Sequence, residues 1–498
     1  MRISRRQLLQ ASAIGGAALA APGALAFSPA PLGAARSTAG IGKLLAGAPQ
    51  TGFEQTGTWT THEDELDFIA KLADAPNDVV VEVRGTTAQG RPIHGIRFGQ
   101  GATQNAIAKE SPVVMLLGSQ HGNEPSGRDA NLILIRDLAW ADLEAPENAD
   151  IARVLRDQTL VVVPSANPDG RAAGTRANSR GFDINRDHLR LSTEEARTFA
   201  DIINEWAPYM ALDLHEYGPS VPVMYDDDVL YLWPRNRNVD EGVRTMAQEY
   251  CEQYIKVDCE AAGYTADEYG LYKVGPNVAQ QPVGGTTNDY ALQMAGGSDP
   301  GICRNAMGLR NTMGILTESR VTINPQHSPE EALLDFEGGS LYGDSRAARI
   351  RRVDSQRVIL DSMLRFMNEQ GEAAAAVTLG ANVRKAREGA EKSAPVYFAG
   401  QDDERPLQSG STNAAPASSG YLVTQADLDG NITLENGDPG NKRDAFFRAV
   451  EGQGVAIEEQ TDGSLYVSLA QAAEPIIPLM LDGRAPENRR ILSIDPVD

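Results

Sequence analysis

Val113-Val-Met-Leu-Leu-Gly-Ser-Gln-His-Gly-Asn-Glu124 runs an unbroken apolar segment straight into an imidazole and a carboxylate. Five successive apolar residues predict a strand buried on both faces. His121 and Glu124, three residues apart just beyond that strand, can both reach one divalent cation. Gly118 and Gly122 flank the pair and permit tight backbone geometry near an ion. An H-x-x-E pair alone is a common coincidence, and a lone histidine is more often a satisfied surface or core residue. The chain has six histidines, and one of them, His215, again follows directly on a strand-like run, residues 210–214. Two His and one Glu form the ligand set of a catalytic zinc that keeps its fourth position open for water. Convergence of His121, Glu124 and His215 therefore predicts a metallohydrolase with one zinc per chain.

Working outward, residues 159–163 give another buried-strand signal. Helical patterns around 129–138 and 193–205 separate it from its neighbours. Continuous apolar strands alternating with helices predict an α/β sandwich with helices on both sheet faces. Both metal motifs then fall past strand ends, where open α/β sheets place their ligands. Thr61-His-Glu-Asp64 opens a helix, and residues 79–84 and 92–98 read as a hairpin. Residues 220–280 carry few periodic cues and read as an insertion shaping the cleft. Residues 314–317 read as the last core strand and 345–368 as a long closing helix. Residues 399–420 have linker or loop composition. Strand and helix signals at 421–423, 442–451 and 465–469 predict a small C-terminal α/β appendage. The expected organisation is a catalytic domain over 59–370, then a linker and small domain over 371–498.

The N-terminus reads as an address. Met1-Arg-Ile-Ser-Arg-Arg6-Gln-Leu-Leu9 leads into a short Ala/Gly-rich apolar stretch, and Ala24-Leu-Ala26 offers a small-x-small cleavage site. Ser-Arg-Arg-x-Leu-Leu resembles a bacterial twin-arginine leader, so residues 1–26 are expected to be an export signal and 27–58 a flexible mature N-terminus. The apolar stretch falls short of the about 20 residues of a spanning helix, so a periplasmic or secreted protein without a membrane anchor is expected. The formal charge of −23 argues against nucleic acid and anionic lipid as partners. Three cysteines cannot build a disulfide framework; Cys251 and Cys259 could pair, or remain buried or free thiols. Asp427-Leu-Asp429-Gly-Asn431 lacks the spacing of a calcium loop, and Asp226-Asp-Asp228 reads as a solvated loop.

A second cluster names a reaction. Asn167-Pro-Asp-Gly170, Arg176-Ala-Asn178 and Gly181-Phe-Asp-Ile-Asn-Arg186 follow one another before the downstream histidine. That order resembles the zinc carboxypeptidase (carboxypeptidase A-like) family over roughly residues 60–370. The resemblance implies a mixed, mostly parallel sheet and a peptide substrate. It implies that Glu318, in Gly314-Ile-Leu-Thr-Glu-Ser-Arg320, is the general base. It implies that Arg176 stabilises the oxyanion, and that Asn185 and Arg186 grip the substrate's terminal carboxylate, for which a planar guanidinium is well shaped. Asp183 matches a carboxylate that orients the first zinc histidine. Tyr217 matches a substrate-lining tyrosine. Tyr290, in Gly284-Gly-Thr-Thr-Asn-Asp-Tyr290, lies in a segment like the one carrying the family's mobile tyrosine, although strict register puts Leu292 there. Arg171 and Arg180 are expected to be solvated.

The Gly-Asn between His121 and Glu124 departs from the digestive members, which carry an arginine there. His-Gly-Asn-Glu-Pro and Asp-Leu-His resemble the aspartoacylase and succinylglutamate desuccinylase branch, which cleaves small N-acyl amino acids. An N-acyl amino acid deacylase or amidohydrolase is thus the alternative reading. A non-catalytic peptide-binding shell is a further one, and it would be expected to lack a zinc ligand or the base.

Overall fold

The computed structural model describes residues 47–102, 111–218, 227–269, 271–273, 290–292, 297–322, 345–398 and 414–498. The expected export leader, and the mature N-terminus as far as residue 46, lie outside the described residues. Among the described residues up to Arg320 there are ten strands: β1 (Val79–Thr86), β2 (Pro92–Gly99), β3 (Val113–Gly118), β4 (Thr159–Val163), β5 (Met210–Tyr217), β6 (Val229–Leu232), β7 (Ala266–Glu268), β8 (Leu271–Lys273), β9 (Tyr290–Leu292) and β10 (Met313–Arg320). Eight of them form one sheet in the order β1-β2-β4-β3-β5-β10-β6-β7. Its centre, β4-β3-β5-β10, is parallel, and the hairpin β1-β2 and strand β6 join antiparallel. The mixed, mostly parallel sheet is the expected one.

The apolar runs become central strands because each has two faces to bury. Val114 and Leu116 pack into the core shared with helices Ser126–Trp140 and Arg346–Glu391. Val113, Met115 and Leu117 point the other way, against Phe199, Ile202 and Trp206 of helix Glu194–Trp206. This two-residue alternation on a strand covered by helices on both sides is why the run shows no polar gaps. The chain crosses from β3 to β4 on one side and later to β5 on the other. Their carboxyl ends therefore open on a crevice at the point where strand order reverses.

Three segments differ from expectation. Residues 51–57, read as part of a flexible terminus, form a one-turn helix with a Thr51–Glu54 capping box, and buried Phe53 stacks on Trp59 at 5.5 Å. The region 227–268, read as an irregular insertion, adds β6, β7 and three helical segments to the sheet edge. Its pattern is obscured because buried carboxylates are paired from afar. Asp228 meets Arg351 at 2.8 Å and Asp258 meets Arg365 at 2.9 Å. Asp228, expected in a solvated acidic loop, is buried for that reason. The closing helix does not stop at 368 but spans Arg346–Glu391, 46 residues, about 69 Å at 1.5 Å per residue. No proline interrupts it, Ala373–Ala376 are strong helix formers, and the missing side chain of Gly371 leaves room for Gln158.

The C-terminal residues form the expected small α/β unit, with helix Lys442–Gly452 and a four-stranded sheet containing Gly420–Val423 and Leu465–Ser468. Its apolar side is continuous with the core of the large sheet. Val423, Phe446, Val467 and Leu481 belong to the same apolar cluster as Leu212 of β5. The three cysteines are unpaired and buried, so the Cys251–Cys259 bridge is not formed.

Candidate metal centre

Four strand ends meet at the crevice. β3 leads into His121 and Glu124, β4 into Asn167, β5 carries His215, and β10 carries Glu318. One ligand atom each from His121, Glu124 and His215 lies within 4.8 Å of the others. The contacts are closer still. Glu124 Oε1 is 2.8 Å from His121 Nδ1, Glu124 Oε2 is 2.8 Å from His215 Nδ1, and the two Nδ1 atoms are 3.1 Å apart. Nitrogen and oxygen ligands about 2.0–2.1 Å from a tetrahedral zinc lie roughly 3.3 Å from one another.

The outer faces of both imidazoles settle which atoms look inward. His121 Nε2 meets Asp183 Oδ1 at 3.2 Å, and His215 Nε2 meets Asp213 Oδ2 at 2.8 Å. Each carboxylate holds the Nε2 proton, which leaves two Nδ1 lone pairs facing one another across a carboxylate. Lone pairs so arranged are satisfied by a cation or by extra protons, and the donor set suits zinc. Without the ion the neighbouring carboxylates favour the protonated form of both imidazoles. Burial opposes charge on His215, but Asp213 and Glu124 outweigh it and raise its pKa well above the usual range. Burial likewise opposes ionisation of Glu124, and the two imidazoles overcome it and hold the carboxyl well below its ordinary value.

Asp213, Gln120 and His188 belong to this site although the sequence reading did not select them. Gln120 Nε2 donates to Asp213 Oδ2 at 2.5 Å, and Gln120 Oε1 is 2.7 Å from His188 Nε2. All three side chains are buried. The available signal was Asp213-Leu-His215, since residues two apart on a strand share a face. Helix Arg346–Glu391 fixes β5 from behind: Gln356 Nε2 donates to the His215 carbonyl at 2.8 Å, and Arg352 pairs with Glu216 at 2.7 Å.

Glu318 faces His215 in the β5–β10 register. Burial first, and then the nearby Glu124 charge, push it up to about 7. Arg176 is the most exposed member of the cluster. Its Nε and Nη2 donate to Asp183 Oδ2 at 3.0 and 2.9 Å, and its Nη1 lies 3.2 Å from His121 Nδ1. Asp183 thus serves His121 and Arg176 together. Asn185 is buried: its Oδ1 accepts from the Cys303 N–H at 2.8 Å, and its Nδ2 lies 3.3 Å from His215 Nε2. Arg186 is half-buried, with Nη1 donating to the Asn185 carbonyl at 2.7 Å. Tyr217 ends β5, buried, with its hydroxyl donating to the Asp227 carbonyl. Tyr290 opens β9, and its side chain lies outside the described residues.

The Asn167-Pro-Asp-Gly170 motif shapes the loop. Asn167 caps helix Pro168–Ala173 and donates to the Gln120 carbonyl at 3.1 Å. Asp169 accepts from Thr87 and Ser179 at 2.7 and 2.6 Å. Gly122 lies so close to Gly170 that any side chain would collide with that backbone. Arg171, expected to be solvated, donates to the Gly122 carbonyl at 2.7 Å, and Arg180 pairs with Glu194 at 3.0 Å.

Residues 65–299 match the family model described as zinc carboxypeptidase. Carboxypeptidase 2 of Trichophyton rubrum is 29% identical over 302 residues, covering 58% of this chain and 52% of its own length. Probable carboxypeptidase 2 of Trichophyton verrucosum is 32% identical over 302 residues, covering 58% and 54%. The chain spans about half the length of these relatives. The crystal structure of a metallo-carboxypeptidase from Burkholderia cenocepacia is 18% identical, covers 61% of this chain and 70% of that one, and superposes with a TM-score of 0.43.

Proposed function

The chain belongs to the zinc carboxypeptidase family, and from that premise we propose that it hydrolyses the C-terminal peptide bond of peptides. The observation that carries this reading is the pair of inward Nδ1 atoms closed by the Glu124 carboxylate, with Glu318 beside them. His121, Glu124 and His215 would hold the ion. Zinc there supplies a Lewis acid that activates water and polarises a carbonyl.

The chain's own groups do the rest. Glu318 accepts the proton of the attacking water and returns it to the departing amine, as a buried carboxylate opposite His215 can do. Arg176, anchored on Asp183 at the open side of the cluster, stabilises negative charge on the carbonyl oxygen. Arg186 holds the substrate's terminal carboxylate through its fork. Asn185, whose Oδ1 is held by the Cys303 N–H, keeps its Nδ2 donors for the same carboxylate. Tyr217, two residues beyond His215 on β5 and so on the same face, is the candidate substrate-lining tyrosine, and Tyr290 is the candidate for the mobile tyrosine. The leader predicts that the enzyme works outside the cytoplasm, and among the described residues no helix is long and apolar enough to cross a membrane.

The Gly-Asn step does not favour the small-substrate alternative, since close packing against Gly170 accounts for Gly122 and Asn123 is exposed. The test is Glu318→Gln, assayed on acylated dipeptides with metal analysis alongside. Loss of turnover by about a thousandfold with zinc retained is expected. Retained turnover would remove Glu318 from the mechanism.

A further inference from the structure

The C-terminal unit is fastened onto the segment that carries Asn185 and Arg186. Arg190, four residues beyond Arg186, is buried and donates to four carbonyls of that unit: Thr433 at 2.7 Å, Glu487 at 3.1 Å, Arg489 at 3.0 Å and Arg490 at 2.8 Å. Arg489 reaches back in the opposite direction. It is 7% exposed, its Nη2 meets Asp299 at 2.6 Å, and its Nη1 meets Glu435 at 2.6 Å and lies 3.5 Å from the Arg186 carbonyl.

Asp299 begins the turn that forms the other wall of this place. Its Oδ1 accepts from the Gly301 N–H at 2.8 Å. Gly301 lies so close to the Arg186 carbonyl that a side chain there would collide with it, and its own carbonyl accepts from the His188 N–H at 3.1 Å. Two residues on, the Cys303 N–H is bonded to Asn185. One guanidinium from the far end of the chain therefore bridges both walls around Arg186.

We propose that Arg489 is a positioning residue for substrate carboxylate recognition. It fixes the Arg186 turn against the Asp299 turn and neutralises Asp299 beside the place where Arg186 receives a carboxylate. The proposal rests on the reading of Arg186 given above. Charge decides its direction. Without Arg489, the Asp299 carboxylate stands uncompensated in a half-buried setting, and like charges repel an incoming carboxylate where water screens them poorly. A lysine keeps the charge but lacks the planar fork needed to span Asp299, Glu435 and a carbonyl together.

The experiment compares the zinc-loaded full chain, Arg489→Met, and Arg489→Met combined with Asp299→Asn. Each is assayed on a pool of acylated dipeptides with free C-termini and on the same pool amidated. The single variant should raise KM for the free acids about tenfold with kcat within about twofold, and Asp299→Asn should recover most of that loss. Should the Met variant not fold, Arg489→Gln, which also removes the charge, carries the test with the same direction of change in KM. An unchanged KM, a fall confined to kcat, or no recovery with Asp299→Asn overturns the proposal. A wild-type chain that cleaves no free acid overturns the functional reading instead.

Discussion

Glu318 stands directly opposite His215 in the parallel register of β5 and β10. Neighbouring strands lie about 4.8 Å apart, so the carboxyl sits beside the ligand cluster without belonging to it. Burial and Glu124 raise its pKa from the ordinary 4.5 to about 7. A carboxyl with a raised folded-state pKa binds its proton more tightly folded than unfolded. Its contribution to stability is present below the unfolded value and is lost as pH rises towards the folded one. In metal-free protein, Glu318→Gln should therefore match wild type near pH 4 and be more stable above pH 7, by on the order of 3 kcal/mol. Denaturant unfolding across that range checks it; a difference that is constant with pH would contradict it.

Asp213 fixes the tautomer of His215 from behind and is itself held by Gln120. Asparagine there keeps the shape but weakens the hold on the Nε2 proton. Asp213→Asn should lower zinc affinity by about 10–100-fold, read by competition with a chelator. An unchanged affinity would make Asp213 a packing residue only.

Arg176 donates twice to Asp183, its Nη1 lies 3.2 Å from the inward His121 Nδ1, and it is still the open side of the cluster. Charge that develops only during reaction is felt in kcat. Arg176→Met should reduce kcat by roughly 100- to 1,000-fold and leave zinc content unaltered. Steady-state kinetics that moved KM alone would assign Arg176 to substrate binding instead.

Much of this was legible in sequence for physical reasons. A strand buried on both faces must be apolar throughout, so β3, β4 and β5 announced themselves, and ligands at their carboxyl ends followed. What escaped notice depends on partners distant in the chain. Asp228 and Asp258 look like surface acids until Arg351 and Arg365 arrive from the long helix. Gln120 and His188 are ordinary polar residues until folding aligns them with Asp213. Asn185 is fixed through its Oδ1 by the Cys303 N–H, a partner more than a hundred residues away that sequence spacing does not show. The end of the long helix was misplaced because nothing in the Ala-rich stretch after Gly371 marks a stop.

Gly122 separates two demands at the zinc motif. Its closeness to Gly170 leaves no room for a methyl group, and the obstacle is backbone, which cannot swing aside. Gly122→Ala should destabilise the protein by about 1–3 kcal/mol and loosen the metal site with it. Thermal unfolding with and without zinc checks this. An alanine variant of unaltered stability and zinc content would mean that the loop can shift as a body.

The most direct measurement is the ratio of kcat/KM for matched peptides ending in a free carboxylate and in an amide, made with zinc-loaded protein. Gripping by Arg186 predicts that the free acid is preferred by about 100-fold or more, and that Arg186→Met removes the preference. Equal cleavage of both forms by the wild-type chain would contradict the carboxypeptidase account.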